Sequence, residues 1–219
     1  FLRLVNEAIK GRIDPRAIRF EAPSSVVLED AVLSDPNGAP VARVRRAKAT
    51  ISLSSLLVGE VVISRIDLVE PQLLLELKAK KLNLLEALTP KKPPDKSKPA
   101  QAAFRIDLIE AKDGGFRFTD GTNVTVIADD VDGAASLEMD LARELFLLDV
   151  KDARVASGAV KLPELDVPLT NVSGKRVLVL ADRVELLGVS GTAAGANMQA
   201  QGTIRVKAPG SLNLSGSVD

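Results

Sequence analysis

Arg65-Ile66-Asp67-Leu68-Val69-Glu70 and, forty positions on, Arg105-Ile106-Asp107-Leu108-Ile109-Glu110 are nearly the same hexapeptide. In both, Ile and Leu occupy alternate positions, with Arg and Asp between them. A period of two puts the aliphatic side chains on one face of a strand and the charged ones on the other. A strand that recurs in this form points to one sheet extended by similar units and not to a compact enzyme with a single pocket.

Working outward, the same alternation fills most of the chain. Residues 17–22 and 25–34 read as strands. Asp35-Pro36-Asn37-Gly38 follows as a turn, because Pro fixes φ and Asn-Gly tolerates positive φ. The hairpin partner, 41–53, changes parity: Ala42 and Val44 are even, whereas Ala47, Ala49, Ile51 and Leu53 are odd. This predicts a β-bulge near Arg45-Arg46. Residues 54–59 read as a tight connection, and 61–69 and 72–78 as strands. Residues 104–112, 115–119, 123–128 and 134–139 read as four more. From 145 to 170 the pattern is less regular, with Pro163 and Pro168 favouring an edge or a break. Residues 175–181 and 184–189 resume it. Alternation is cleanest in 198–207 and 212–219.

Two segments have helical spacing. Residues 1–10 carry apolar side chains at 1, 2, 4, 5, 8 and 9 before Gly11, and 82–88 reads Leu-Asn-Leu-Leu-Glu-Ala-Leu. Residues 89–103, rich in Pro and Lys, read as a flexible loop. The expected organisation is therefore an amino-terminal module over 1–88, the loop over 89–103, and a continuing sheet over 104–219. The expected fold is mainly β: an extended, curled antiparallel sheet forming a groove, with one or two short amphipathic helices.

Composition narrows the chemistry. The chain of 219 residues has no His, no Cys, no Trp and no Tyr, and its 29 basic and 29 acidic residues cancel. Acyl transfer by a Ser–His or Cys–His pair is excluded. Stacking platforms for sugars or single-stranded nucleic acid are nearly absent, and no net charge favours nucleic acid. Asp129-Asp130-Val131-Asp132-Gly133 and Asp120-Gly121-Thr122-Asn123 invite a calcium reading, but the distal Glu of an EF-hand loop is missing, and both read as turns. The expectation is a protein with no catalytic residue, no metal and no cofactor. No stretch reaches the ~20 apolar residues needed to span a bilayer. The opening Phe1 reads as the start of a fragment or a processed form.

About a dozen half-apolar strands against two short helices leave an aliphatic face to be covered. At ~25 cal/mol per Å², exposing it all to water would cost more than a net stability of roughly 5–15 kcal/mol. Either the sheet closes on itself as a sandwich, or it curls into a trough for an apolar guest.

Residues 26–41 (VVLEDAVLSDPNGAPV), Ile51-Ser52-Leu53, 61–71, Leu73-Leu74-Leu75 and the 82–88 segment (LNLLEAL) together resemble the amino-terminal module of the AsmA/TamB superfamily. The likeness covers residues 1–90; beyond them only the general style of repeated strands continues. It implies a periplasmic protein of a diderm bacterium, held in the inner membrane by an amino-terminal anchor missing from this sequence. It further implies a β-groove that carries phospholipid acyl chains towards the outer membrane, and partners in the periplasm or outer membrane. The expected groove-lining residues are Leu73, Leu75, Leu77, Ile106, Leu108, Phe116, Phe118, Ile204 and Val206. The rival expectation is a non-catalytic interaction module of an envelope machine, serving outer-membrane protein assembly or similar in style to the N component of type II secretion. Sugar- or calcium-dependent adhesion is a third, weakened by the lack of Trp and Tyr and by the incomplete acidic loops.

Overall fold

The structure is a computed structural model and describes residues 2–21, 23–52, 61–78, 81–89, 91, 103–140, 145–180, 183–205 and 211–218. In chain order the elements are α1 (Leu2–Ala8), β1 (Arg12–Asp14), β2 (Ala17–Glu21), β3 (Ser25–Ser34), β4 (Pro40–Ile51), β5 (Val61–Lys78), β6 (Lys81–Leu82) and α2 (Asn83–Leu88). They continue with β7 (Ala103–Thr119), β8 (Thr125–Asp140), β9 (Leu145–Leu162), β10 (Leu165–Leu180), β11 (Arg183–Ala193), β12 (Ala196–Arg205) and β13 (Ser211–Val218). All thirteen strands form one sheet, ordered β1-β3-β4-β5-β7-β8-β9-β10-β11-β12-β13, with β2 paired to β3 and β6 to β5. The sheet is open and curled, as the alternation predicts, and it has almost no helix. The expected connection at 54–59 and most of the loop at 89–103 lie outside the described residues.

Neighbouring strands pair antiparallel with one exception. β5 and β7 run parallel, with Ile63 beside Ile106 and Leu73 beside Phe116. A parallel pair needs a crossover of a dozen or more residues, and residues 79–102, which include β6 and α2, supply it. The two hexapeptides therefore lie side by side, but staggered: the pairing offset is 43 residues, not 40. Their charged faces behave as the alternation requires. Arg65 bonds Asp67 at 2.7 Å, Arg105 bonds Asp107 at 2.7 Å, and Arg65 also reaches Glu110.

The turns follow from local chemistry. The Asp35 side chain accepts the amides of Asn37 and Ala39, and Gly38 takes φ +86. Ala194 and Gly195, both at positive φ, join β11 to β12 in a two-residue hairpin. Pro163 sits in the two-residue β9–β10 turn. Pro168 lies just beyond the last rung between β10 and β11, where no ladder partner needs its missing N–H. At Asp120 the side chain accepts the amides of Val124, Thr122 and Asn123, which holds its carboxyl below the usual range.

Several expected breaks are not breaks. Residues 103–119 form one strand through Asp113-Gly114-Gly115, and 125–140 one strand through Asp129–Gly133. Backbone in the left-handed region occurs within strands at Asp30, Glu70, Asp113, Asp130, Asp152, Asn171 and Gly188. Apolar parity changes at each: Val26 and Leu28 give way to Ala31 and Leu33 across Asp30, and Ile109 and Ala111 to Phe116 and Phe118 across Asp113. The parity change foreseen near Arg45-Arg46 is present, but no extra residue is inserted there. Register is unbroken from Arg46 to Val44 on both sides, and it is the facing Asp30 and Glu70 that adopt positive φ.

Burial is concentrated at the amino-terminal end. Among the described residues the buried apolar side chains are Val26, Val27, Ala31, Val41, Val62, Ile63, Ala87 and Ile106. From residue 107 on, no Val, Leu, Ile, Met or Phe among the described residues is buried. The opposite face is held by ion pairs such as Lys48–Glu21 (2.6 Å), Arg19–Glu29 (2.6 Å) and Arg183–Glu185 (2.7 Å).

The most enclosed charge is Asp149, 7% exposed, which takes a bidentate contact from Arg176 at 2.8 and 2.9 Å. That guanidinium holds the Asp149 carboxyl below its ordinary pKa. A carboxylate whose folded pKa is depressed stabilises the fold above its unfolded pKa, and the gain is lost as pH falls through the folded value. Asp149→Asn is expected to cost roughly 1–2 kcal/mol at neutral pH, because Arg176 is half exposed and keeps part of its hydration. In melting curves taken against pH, the gap between the two proteins should close on acidification below about pH 4.

Candidate functional site

Side chains in register on adjacent strands share a face, so the pairing itself maps the lateral rows of the sheet. One row passes from Phe20 through Val26, Ala49, Ile66 and Ile109 to Ala135. The same row continues through Val150, Val177, Leu186 and Gly202 to the register position of Leu214. A second joins Ile51, Ile63, Ile106, Leu137 and Leu148, then Val179, Val184 and the positions of Ile204 and Leu212. A third, beyond the left-handed residues, joins Ile13, Leu33, Ala42, Leu73 and Phe116, then Ala128, Gly158, Leu169 and Ala193. A fourth joins Leu75, Phe118, Val126, Val160 and Val167.

None of these four rows contains a charged residue. Together they make a continuous aliphatic face with only two aromatic side chains near its middle. Beyond the amino-terminal end those of these side chains that the structure describes are half-buried and not enclosed, and Phe20, on strand β2, is 72% exposed. A surface of this kind recognises by apolar area alone, since it offers no fixed donor or charge to select a polar ligand.

The nine expected lining residues fall as follows. Leu73 with Phe116, and Leu75 with Phe118, are direct neighbours in register on the parallel pair. Ile106 is 5% exposed and shares its row with the position of Ile204. Leu77 stands at the end of β5 opposite Leu82. Leu108 lies in an irregularity between Ile106 and Ile109, so Ile109 carries the row onward in its place. Val206 lies outside the described residues. The expected set left out Ile66, although alternation already places it on the aliphatic face of its hexapeptide, and Val150 and Val177, which lie on strands whose parity changes partway. The signal was present as the switch from Val177 and Val179 to Val172 and Gly174 in a single strand.

One end of the face is closed by α2. Ala87 is fully buried, its carbonyl accepts the amide of Gly11 at 2.8 Å, and Thr89 accepts that of Lys10 at 2.7 Å. A Cβ on Gly11 would lie 2.5 Å from the Ser34 carbonyl and 2.9 Å from the Ala87 side chain, so only Gly fits. Asn83 docks the helix: its Oδ1 accepts the amides of Glu76 and Leu84, and its Nδ2 donates to the Leu74 carbonyl. It thereby completes the β5 edge where β4 has ended.

Among the described residues no group of acidic side chains is placed to hold a metal ion, and no helix is long and apolar enough to cross a membrane. Shallow open depressions occur on the polar side, one bounded by Arg16, Asp30 and Arg45 and another by Glu110, Asp113, Asp132 and Asp152. Compared with protein-family models, curated proteins and solved structures, the chain finds no match.

Asn83→Ala removes three hydrogen bonds and leaves β5 backbone groups unpartnered. It is expected to cost about 1–3 kcal/mol in chemical denaturation, with the strongest loss of amide-exchange protection at residues 74–76.

Proposed function

We propose that this chain is a periplasmic segment of an AsmA/TamB-like bridge, anchored in the inner membrane of a diderm bacterium, whose apolar groove carries phospholipid acyl chains towards the outer membrane. The observation that carries the reading is the set of uncharged rows that crosses the sheet and, among the described residues from β8 on, has no buried aliphatic side chain and no second layer packed upon it. Each methylene moved from water onto such a face gains about 0.8 kcal/mol. Successive rows offer equivalent aliphatic contacts, so an acyl chain meets similar surface as it advances. Nothing polar on the face locks it in place. The headgroup stays in water along the open side, and no bond is made or broken.

A docking module of an envelope machine is the second reading. The edge of β2, which among the described residues pairs with β3 and carries the exposed Phe20, favours it, because an unpaired strand edge accepts another strand.

Native mass spectrometry of the purified chain separates the two. The conduit retains phospholipid, whereas a docking module carries none. Leu75→Asp and Phe116→Asp, each on the face, should lower retained lipid at least about tenfold, equivalent to ~1.4 kcal/mol, with the folded state preserved in circular dichroism. Retention unchanged by both substitutions, or absent from the parent chain, would count against the conduit.

A further inference from the structure

The left-handed residues within strands are not scattered; the register lines them up. Asp30 faces Arg45, which faces Glu70, and Glu70 lies beside Asp113 on the parallel strand. Asp130 faces Ala156, which faces Asn171. Asp152 faces Lys175, which faces Gly188. In each antiparallel triplet a residue of positive φ flanks an ordinary one on both sides, and the parallel pair carries two positive-φ residues. A seam thus crosses the sheet from β3 to β11.

We infer that the seam residues are positioning residues of the groove: their backbone conformation, together with that of the ordinary residues they face, turns the strands over so that both halves present apolar side chains to the same side. The sequence requires such a device. On β8, Val126 and Ala128 precede Asp130, and Val131, Ala135 and Leu137 follow with opposite parity. With unbroken alternation, one half of that strand would direct Asp129 or Glu138 into the apolar rows. The seam reconciles the halves, and because bulge-like backbone increases twist and bends a strand, it also curls the sheet into a trough. β12, which lies beyond the seam, keeps a single parity from Met198 to Ile204; its one positive-φ residue among those described, Gly202 at φ +149, lies far from the φ of 46–70 found along the seam.

Residue chemistry agrees. Five of the seven positions are Asp or Asn, one is Glu and one is Gly, and none is β-branched. Asp and Asn are the side chains that best tolerate left-handed backbone after Gly, and a β-branched residue tolerates it least. Elsewhere in the strands Val, Ile and Thr are abundant, so their absence from the seam marks a backbone requirement.

The inference concerns shape and does not depend on lipid as the guest. It is tested with Asp113→Gly/Asp130→Gly/Asp152→Gly, the corresponding triple Val variant, and Glu138→Val as an exposed strand position with ordinary φ. The chain has no Cys, so spin labels on cysteines introduced at Asn37 and Glu164, in two turns, report the curl as a distance distribution. The Gly variant should keep the parent distance and melt at or above the parent temperature. Each Val at the seam should lower the melting temperature by about 2–4 °C and shift or broaden the distance, while Glu138→Val does neither. If the triple Val variant does not fold, the single variants carry the comparison. Val variants that match the parent in both readouts, or a Gly variant that loses the parent distance, would overturn the inference.

Discussion

One constraint governs this molecule: a sheet of thirteen strands must keep most of its apolar side chains on a single side although, among the described residues, no second layer packs against them from β8 on. Pairing in register gathers those side chains into rows, and rows let neighbours shield one another laterally. Curling brings the rows closer, which removes further apolar area from water without enclosing it. Among the described residues, buried aliphatic side chains are confined to α2 and the strands up to β7: some lie where α2 meets Gly11 and the end of β3, and others, Val26, Val62, Ile63 and Ile106, at the opposite strand ends. The account of the function follows from that asymmetry. A face half shielded by its own curvature retains apolar area for a guest.

The polar side carries complementary work. Arg65 with Asp67 and Glu110, Lys48 with Glu21, and Arg176 with Asp149 tie neighbouring residues and strands on the wet face. Exposed pairs of this kind contribute little each. Their consequence is directional: charge lies on one side only, so the sheet cannot reverse its curl without taking those charges out of water.

Much of this was legible from alternation. The strand content, the short helix at 82–88, the Asp-Pro-Asn-Gly turn, and the shared face of Leu73, Leu75, Phe116 and Phe118 all follow from local pattern. Other features were illegible for a physical reason. Asp113-Gly114 reads as a break between two strands and Asp129–Gly133 as a turn, because turns and bulges demand the same residues, those that accept positive φ. What separates the two is whether the chain reverses, and that depends on partners far along the sequence. The hexapeptides at 65 and 105 suggested stacked repeats, yet their strands pair 43 residues apart because the crossover through α2 sets the register. Leu108 failed to hold its expected place, and Ile109 took it, because a local irregularity shifted parity by one.

The central claim, that the face from β8 to β11 meets hydrocarbon and not protein, is most directly tested by site-specific photo-crosslinking. A photoreactive residue would be placed in turn at Val150 and Val177 on the apolar rows, and at Lys151 and Arg154 on the polar side, in cells expressing the chain. Phospholipid adducts at the first two positions and none at the others are the predicted result. Adducts to protein alone at Val150 and Val177, with no lipid at either, would contradict the account.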